Sequence, residues 1–209
     1  MKMKFGIIST LCLSLVMTSC GGGHQDETEE QNEEKCFYSV NQESFDLTWT
    51  AYKTTGKIPV GGTFDQVKIT GDQAENKTEA LKGVEFEITT STVNSQNEER
   101  DAKIAEHFFG TFGTPAITGK VTAVDADNGK ATVMITMHGI SYDVEGDLAI
   151  NEDAFTFNAS IDVANWNGMA AINALNEVCF ELHKGEDGES KLWSEVAVSF
   201  SGSFVEDCK

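Results

Sequence analysis

Cys179 and His183 stand four residues apart in a stretch with helical spacing, so they share one helix face. A cysteine beside a histidine can form a thiolate nucleophile or supply half of a zinc site. The remainder of either machinery is missing from the sequence. His24, His107 and His138 are scattered, and there is no CxxC, HxH, HExxH, GxSxG, phosphate-binding loop or dinucleotide GxGxxG. A lone cysteine at core spacing acts as a small hydrophobe. The chain therefore reads as non-catalytic, without cofactor or metal. Arg100–Asp101 has two readings: a helix-start pair with Asp in the first turn, which is favoured, or a polar anchor near a cavity mouth.

The other cysteines divide by position. Cys12 lies in an apolar run, Phe5 to Met17, that follows Lys2 and Lys4. Its thirteen residues match a signal peptide and are too short to span a bilayer comfortably. The run ends in Met17-Thr18-Ser19-Cys20 and three glycines, which resembles a bacterial lipobox, with Met17 in the usual place of Leu. Cys20 is then the lipidated first residue of the mature protein, anchored by its acyl chains. Cys36, Cys179 and Cys208 remain in a compartment that permits disulfides. In an up-and-down barrel of even strand number, the chain enters and leaves at the same end, which favours Cys36–Cys208. Cys36–Cys179 stays open as the rival pairing.

Gly21 to Lys35 contains no aliphatic or aromatic residue and carries six acids against one lysine. Such a segment cannot bury apolar surface and extends by self-repulsion. Three regions result: 1–19 a lipoprotein signal peptide, 20–43 the lipidated cysteine and acidic flexible tether, and 44–209 a β-barrel domain. The chain carries formal charge -19, and loss of the two lysines of residues 1–19 leaves -21. A surface this acidic argues against nucleic acid and against electrostatic docking on anionic lipid.

The elements that must position these residues are mostly strands. Phe45, Leu47, Trp49 and Ala51 alternate with polar neighbours, as do Val84, Phe86 and Ile88. Gly61-Gly62 marks a bulge or coil before a strand over 64–70. Further strands run from Ile117 to Ala123, Ala131 to Met137, Ile140 to Ile150, Phe155 to Ile161, and Val196 to Phe204. Asp125–Gly129 and His138-Gly139 supply turns. Two helices interrupt: Glu98 to Phe109, with Asn97 as N-cap, and Gly168 to Lys184, with Gly185 as C-cap. The expected fold is all-β, an eight-stranded antiparallel barrel with two short helical insertions.

Trp49-Thr50-Ala51-Tyr52-Lys53 followed by Pro59-Val60-Gly61-Gly62-Thr63-Phe64 resembles the opening of the YceI-like, or polyisoprenoid-binding, family. Phe86-Glu87-Ile88, Asn97 with Arg100-Asp101, Phe108-Phe109, Gly119-Lys120 and Met137-His138-Gly139-Ile140 continue the likeness in order and spacing. It covers Ser44 to Phe204 and is nearest to an acid-rich lipoprotein branch of Bacteroidetes-type bacteria. The resemblance implies a lipocalin-like barrel that holds a long lipid or isoprenoid chain, in an exported, non-catalytic protein. One departure stands out. The family's Asn-Arg-x-x-Phe-Gly segment is replaced by Asn165-Trp166-Asn167-Gly168 and a helix.

A lipid site needs concave apolar surface with few polar anchors. In a closed barrel Trp49, Phe86, Ile135, Met137, Phe157 and Phe200 point inward. Phe108, Phe109, Trp166 and Met169 lie on the helical segments that cover a mouth. The expected partners are one long-chain lipid or isoprenoid and a membrane reached through the lipid anchor, with a homodimer left open. The expected location is the bacterial cell envelope, on the outer membrane, with the domain in the periplasm or at the cell surface. The rival reading is a barrel filled by its own side chains, acting through its surface on a protein or glycan.

Overall fold

The computed structural model describes residues 35–209. The expected signal segment, Cys20 and the acidic stretch through Glu34 lie outside the described residues. Eleven strands form one antiparallel sheet: β1 Cys36–Val40, β2 Asp46–Lys53, β3 Ile58–Phe64, β4 Val67–Thr70, β5 Glu85–Thr89, β6 Val93–Asn94, β7 Ala116–Asp125, β8 Lys130–Met137, β9 Ile140–Asn151, β10 Ala154–Asp162 and β11 Leu192–Cys208. Three short helices join them: α1 Lys77–Leu81, α2 Glu98–Lys103 and α3 Met169–Val178.

The strands are paired in the order β4-β5-β7-β8-β9-β10-β11-β2-β3-β6. β3 pairs with β2, β4 pairs with β5, and only Asp65 and Gln66 separate β3 from β4. The two are halves of one bent strand, so the path of the sheet returns on itself. That gives eight barrel strands, with the second longer and sharper in its bend than the strand expected over 64–70. The bend is held from outside: Asp65 N–H donates to Thr92 O at 2.9 Å, and Asn94 Nδ2 donates to Asp65 Oδ1 at 2.8 Å. Gly62 permits the close pass there, because a Cβ would meet Asn94 O and the Trp49 ring at 2.6 Å.

β1 corrects the domain boundary drawn at 43/44. Its apolar and aromatic residues allow pairing with the last residues of β11, Cys36 opposite Cys208 and Val40 opposite Phe204. A disulfide joins Cys36 to Cys208, and among the described residues Cys179 is the free thiol, and it is buried. The bond lies beyond the barrel's closing seam, which is β11 against β2 at residues 192–201.

The helices also differ from their expected spans. Asn97 caps α2, its side chain accepting from the Arg100 N–H at 2.9 Å. From Ile104 to Gly110 the same helix widens into π-helix, a rare form that occurs mostly as short bulges within α-helices. α3 ends at Val178 and not at Lys184, because Cys179 leaves helical geometry (φ −108°, ψ 19°) and a 3-10 turn over Phe180–Leu182 follows. α1 was not expected. It is capped by Asn76 and turns Ala80 and Leu81 inward under one end of the barrel.

That end is packed. Phe200 lies 5.1 Å from Phe86, 5.9 Å from Phe157 and 6.0 Å from Phe45, centroid to centroid. Phe86 lies across Gly119, where a Cβ would stand 2.1 Å from the ring. A residual void of about 40 Å³ remains at this end.

The double substitution Cys36→Ser/Cys208→Ser is expected to lower unfolding free energy by about 2–5 kcal/mol, since the bond closes a loop of 172 residues. Urea unfolding of the oxidised protein and the variant measures it. An unchanged midpoint would show that β1 is held by its strand pairing alone.

Candidate functional site

The opposite end of the barrel is hollow. Along β2 the residues of one face are Leu47, Trp49, Ala51 and Lys53. β11 contributes Val196, Val198 and Phe200, each opposite a member of that row: Ala51, Trp49 and Leu47. β8 contributes Ile135 and Met137, and β10 contributes Ile161. The π-helix lays Ile104, Phe108 and Phe109 over the opening, and α3 adds Ile172 and Leu175. Together they enclose a cavity of about 140 Å³.

The wall of this cavity is apolar because its polar atoms are spent elsewhere. Trp49 Nε1 donates to Thr63 O at 3.2 Å and Trp193 Nε1 to Thr54 O at 2.8 Å. Among the described residues no buried side-chain nitrogen or oxygen lacks a partner. An apolar void near 150 Å³ stays dry and holds a benzene-sized body. A longer chain must therefore leave through the mouth.

The mouth opens into a second cleft of about 330 Å³. Trp49, Ala51, Ile104, Leu175 and Leu192 line both spaces. The outer cleft adds Lys53, Asn97, Glu99, Arg100, Lys103 and His183. The site thus passes from dry and aromatic to polar over the length of one strand.

Arg100 and Asp101 do not pair with each other. Arg100 Nε donates to Ser95 Oγ at 2.7 Å and Nη2 to Ser95 O at 2.9 Å. The Asp101 carboxylate accepts from Ser95 N and Ser95 Oγ. Ser95 thereby fixes Arg100 at the rim. The side chains of Cys179 and His183 are likewise not partners: His183 Nδ1 meets Asn176 Oδ1 at 2.9 Å, and the two residues join only through the His183 N–H donating to Cys179 O at 3.0 Å. Burial pushes the Cys179 thiol up, opposed by the charges of Lys103 and Lys53, so it stays protonated at neutral pH. Burial first, and then Lys53, push the His183 imidazole down to about 4. Neither group is poised as a nucleophile or base.

Of the candidates read from sequence, Trp49, Phe86, Phe108, Phe109, Ile135, Met137 and Phe200 line the inner cavity. Phe157 does not. It faces inward but lies one layer deeper, in the packed end, against Phe200. Trp166 does not either: it is fully buried, donating to Ile135 O at 3.0 Å and packing on Tyr142. Met169 is 44% exposed, on the outer face of α3. Ile104, Leu175, Leu192, Val198 and Lys53 were missed. Val198 and Lys53 were legible, since each continues an alternation already visible in its strand. Ile104 and Leu175 depend on how the helices cross the mouth.

The model of the YceI-like domain matches residues 38–204. No curated protein matches the sequence. Two solved structures share the fold. A polyisoprenoid binding domain from Saccharophagus degradans, implicated in plant cell wall breakdown, is 15% identical, with a TM-score of 0.59 over 82% of this chain and 98% of that one. BcnA of Burkholderia cenocepacia is 15% identical, with a TM-score of 0.54 over 80% of this chain and 99% of its own.

His183 makes stability depend on pH. An unfolded histidine takes its proton near 6.5, the folded one near 4. Between these values the unfolded chain binds more protons, so stability falls as pH drops through the window and is unaffected by this group above it. The loss amounts to up to about 3 kcal/mol by pH 4. Urea unfolding at pH 7 and pH 4.5 is expected to show a smaller difference in His183→Gln than in the unsubstituted chain. Equal differences would mean that other groups carry the acid sensitivity.

Proposed function

We propose that this chain, which belongs to the YceI-like family, holds one lipid or isoprenoid-like chain in its barrel and carries or sequesters it without catalysis. The observation that carries this reading is the apolar cavity that continues into an amphipathic cleft. A barrel that served only as a scaffold for its surface would gain by filling that space, as it fills the other end with Phe45, Phe157 and Phe200. The similar Saccharophagus degradans protein is a polyisoprenoid binding domain, which supports the same class of ligand here.

The reading extends to the N-terminus. Residues 1–19 act as a signal peptide and Cys20 as the acylated anchor, with the acidic segment as a spacer between lipid and barrel. A tether of that length allows the domain to work within a few nanometres of the membrane, by random-coil scaling. The domain then takes an apolar chain from, or delivers it to, the envelope to which it is tied. The protonated, buried Cys179 and the neutral His183 support a binding role over thiol chemistry.

The test uses the chain from residue 20 with Cys20→Ser, so that no acyl group of its own competes for the cavity. Titration with the neutral apolar fluorophore N-phenyl-1-naphthylamine is expected to saturate at one site per chain. Val198→Phe places a ring in the cavity and is expected to weaken binding about tenfold or more, with the fold retained because the ring occupies an existing void. Binding that is indifferent to Val198→Phe would move the ligand out of the barrel.

A further inference from the structure

We infer that the ligand is an amphiphile with an anionic head, a carboxylate or phosphate, held at the barrel rim by Lys53 with Arg100 beside it. This rests on the chain-binding reading above and adds the chemistry of the ligand's other end.

The argument begins with the inner face of β2. Leu47, Trp49, Ala51 and Lys53 share that face. Leu47 is buried deep in the barrel, Trp49 and Ala51 line both spaces, and Lys53 lines only the outer cleft. A chain lying along this row meets apolar surface until its last step and then a cation.

The charge environment makes that cation unusual. The chain has 34 acidic residues against 15 basic ones, so carboxylate partners are plentiful. Neighbouring lysines have taken them: Lys57 pairs with Glu195, Lys103 with Glu99 and Lys184 with Glu181. Lys53 instead donates to the backbone, Leu182 O at 3.1 Å, and among the described residues forms no ion pair. Arg100 also forms none, its contacts being to Ser95 Oγ and Ser95 O. Both side chains are half-buried. The outer cleft holds Lys53, Arg100 and Lys103 against Glu99, and Asp101 reaches Arg100 only through Ser95, so the rim carries an excess of positive charge that an anion on the ligand matches. Leu182 O and Ser95 hold the two groups in place before any ligand arrives, and such preorganisation favours binding.

The contribution of the head can be isolated with two probes of equal tail. Dodecanoate and dodecanol are used to displace N-phenyl-1-naphthylamine from the Cys20→Ser chain at neutral pH. Dodecanoate is expected to bind roughly tenfold or more tighter than dodecanol. Lys53→Met keeps the apolar stem and is expected to reduce that preference to about threefold or less, with dodecanol affinity unchanged. Lys53→Arg is expected to restore it. Unaltered dodecanol binding also reports that the variant is folded with its cavity intact.

Equal affinity for the two probes in the unsubstituted chain would overturn the inference while leaving the chain-binding reading standing. So would a Lys53→Met variant that weakens both probes alike. Inorganic phosphate that binds as tightly as dodecanoate would overturn it in favour of a plain anion site. If neither probe displaces the fluorophore, the chain-binding reading fails and this inference with it.

Discussion

The apolar face of a curled sheet must be buried against something, and in this barrel the chain's own side chains fill one end and leave a cavity of about 140 Å³ toward the other. At one end α1 and a cluster of phenylalanines around Phe200 fill the interior. At the other the strands carry equally apolar inner faces, but the helices bridge over them without descending. The π-helix over Ile104–Gly110 and α3 act as a lid, and the cavity is the gap beneath it. Everything proposed about function follows from that asymmetry. Closure supplies the wall, the packed end supplies rigidity, and the unpacked end leaves apolar surface that a ligand can cover.

The electrostatics of the mouth fit the same division. In the inner cavity the indole N–H groups of Trp49 and Trp193 are turned to backbone carbonyls, so nothing polar faces the void. At the rim the chain keeps cations despite its large negative charge. Lys53 also accounts for part of the depressed imidazole of His183 and opposes the raised thiol of Cys179. A Cys and a His four residues apart look like machinery in the sequence. In the fold they belong to the wall of a cleft, one protonated and the other hydrogen-bonded to Asn176.

The alternation of apolar and polar residues was enough to read the barrel, because a strand with one wet and one dry face leaves a period of two in the sequence. Lys53 shows the power of that signal, since its inward position follows from Leu47, Trp49 and Ala51. The signal failed where pairing is remote. β1 is five residues of uniformly half-buried chain, and partners 164 to 172 residues away on β11 make it a strand. The bend at Asp65 and Gln66 hides β3, whose paired glycines read as a bulge or coil. Phe157 and Phe200 show the deeper limit. Both point inward on paired positions, yet one meets packing and the other reaches the void. Depth in a barrel is a property of all strands together, and periodicity within one strand does not contain it. Trp166 was misplaced for a similar reason: its indole N–H found a carbonyl on β8, which pulled the ring into the wall.

The most direct test of a ligand-holding barrel is native mass spectrometry of the Cys20→Ser chain after exposure to a membrane lipid extract. The account predicts one adduct per chain, released on denaturation and consisting of a long apolar chain with an anionic head. A ligand-free mass after that exposure would contradict it, and would leave the cavity as unfilled space in a protein that acts through its surface.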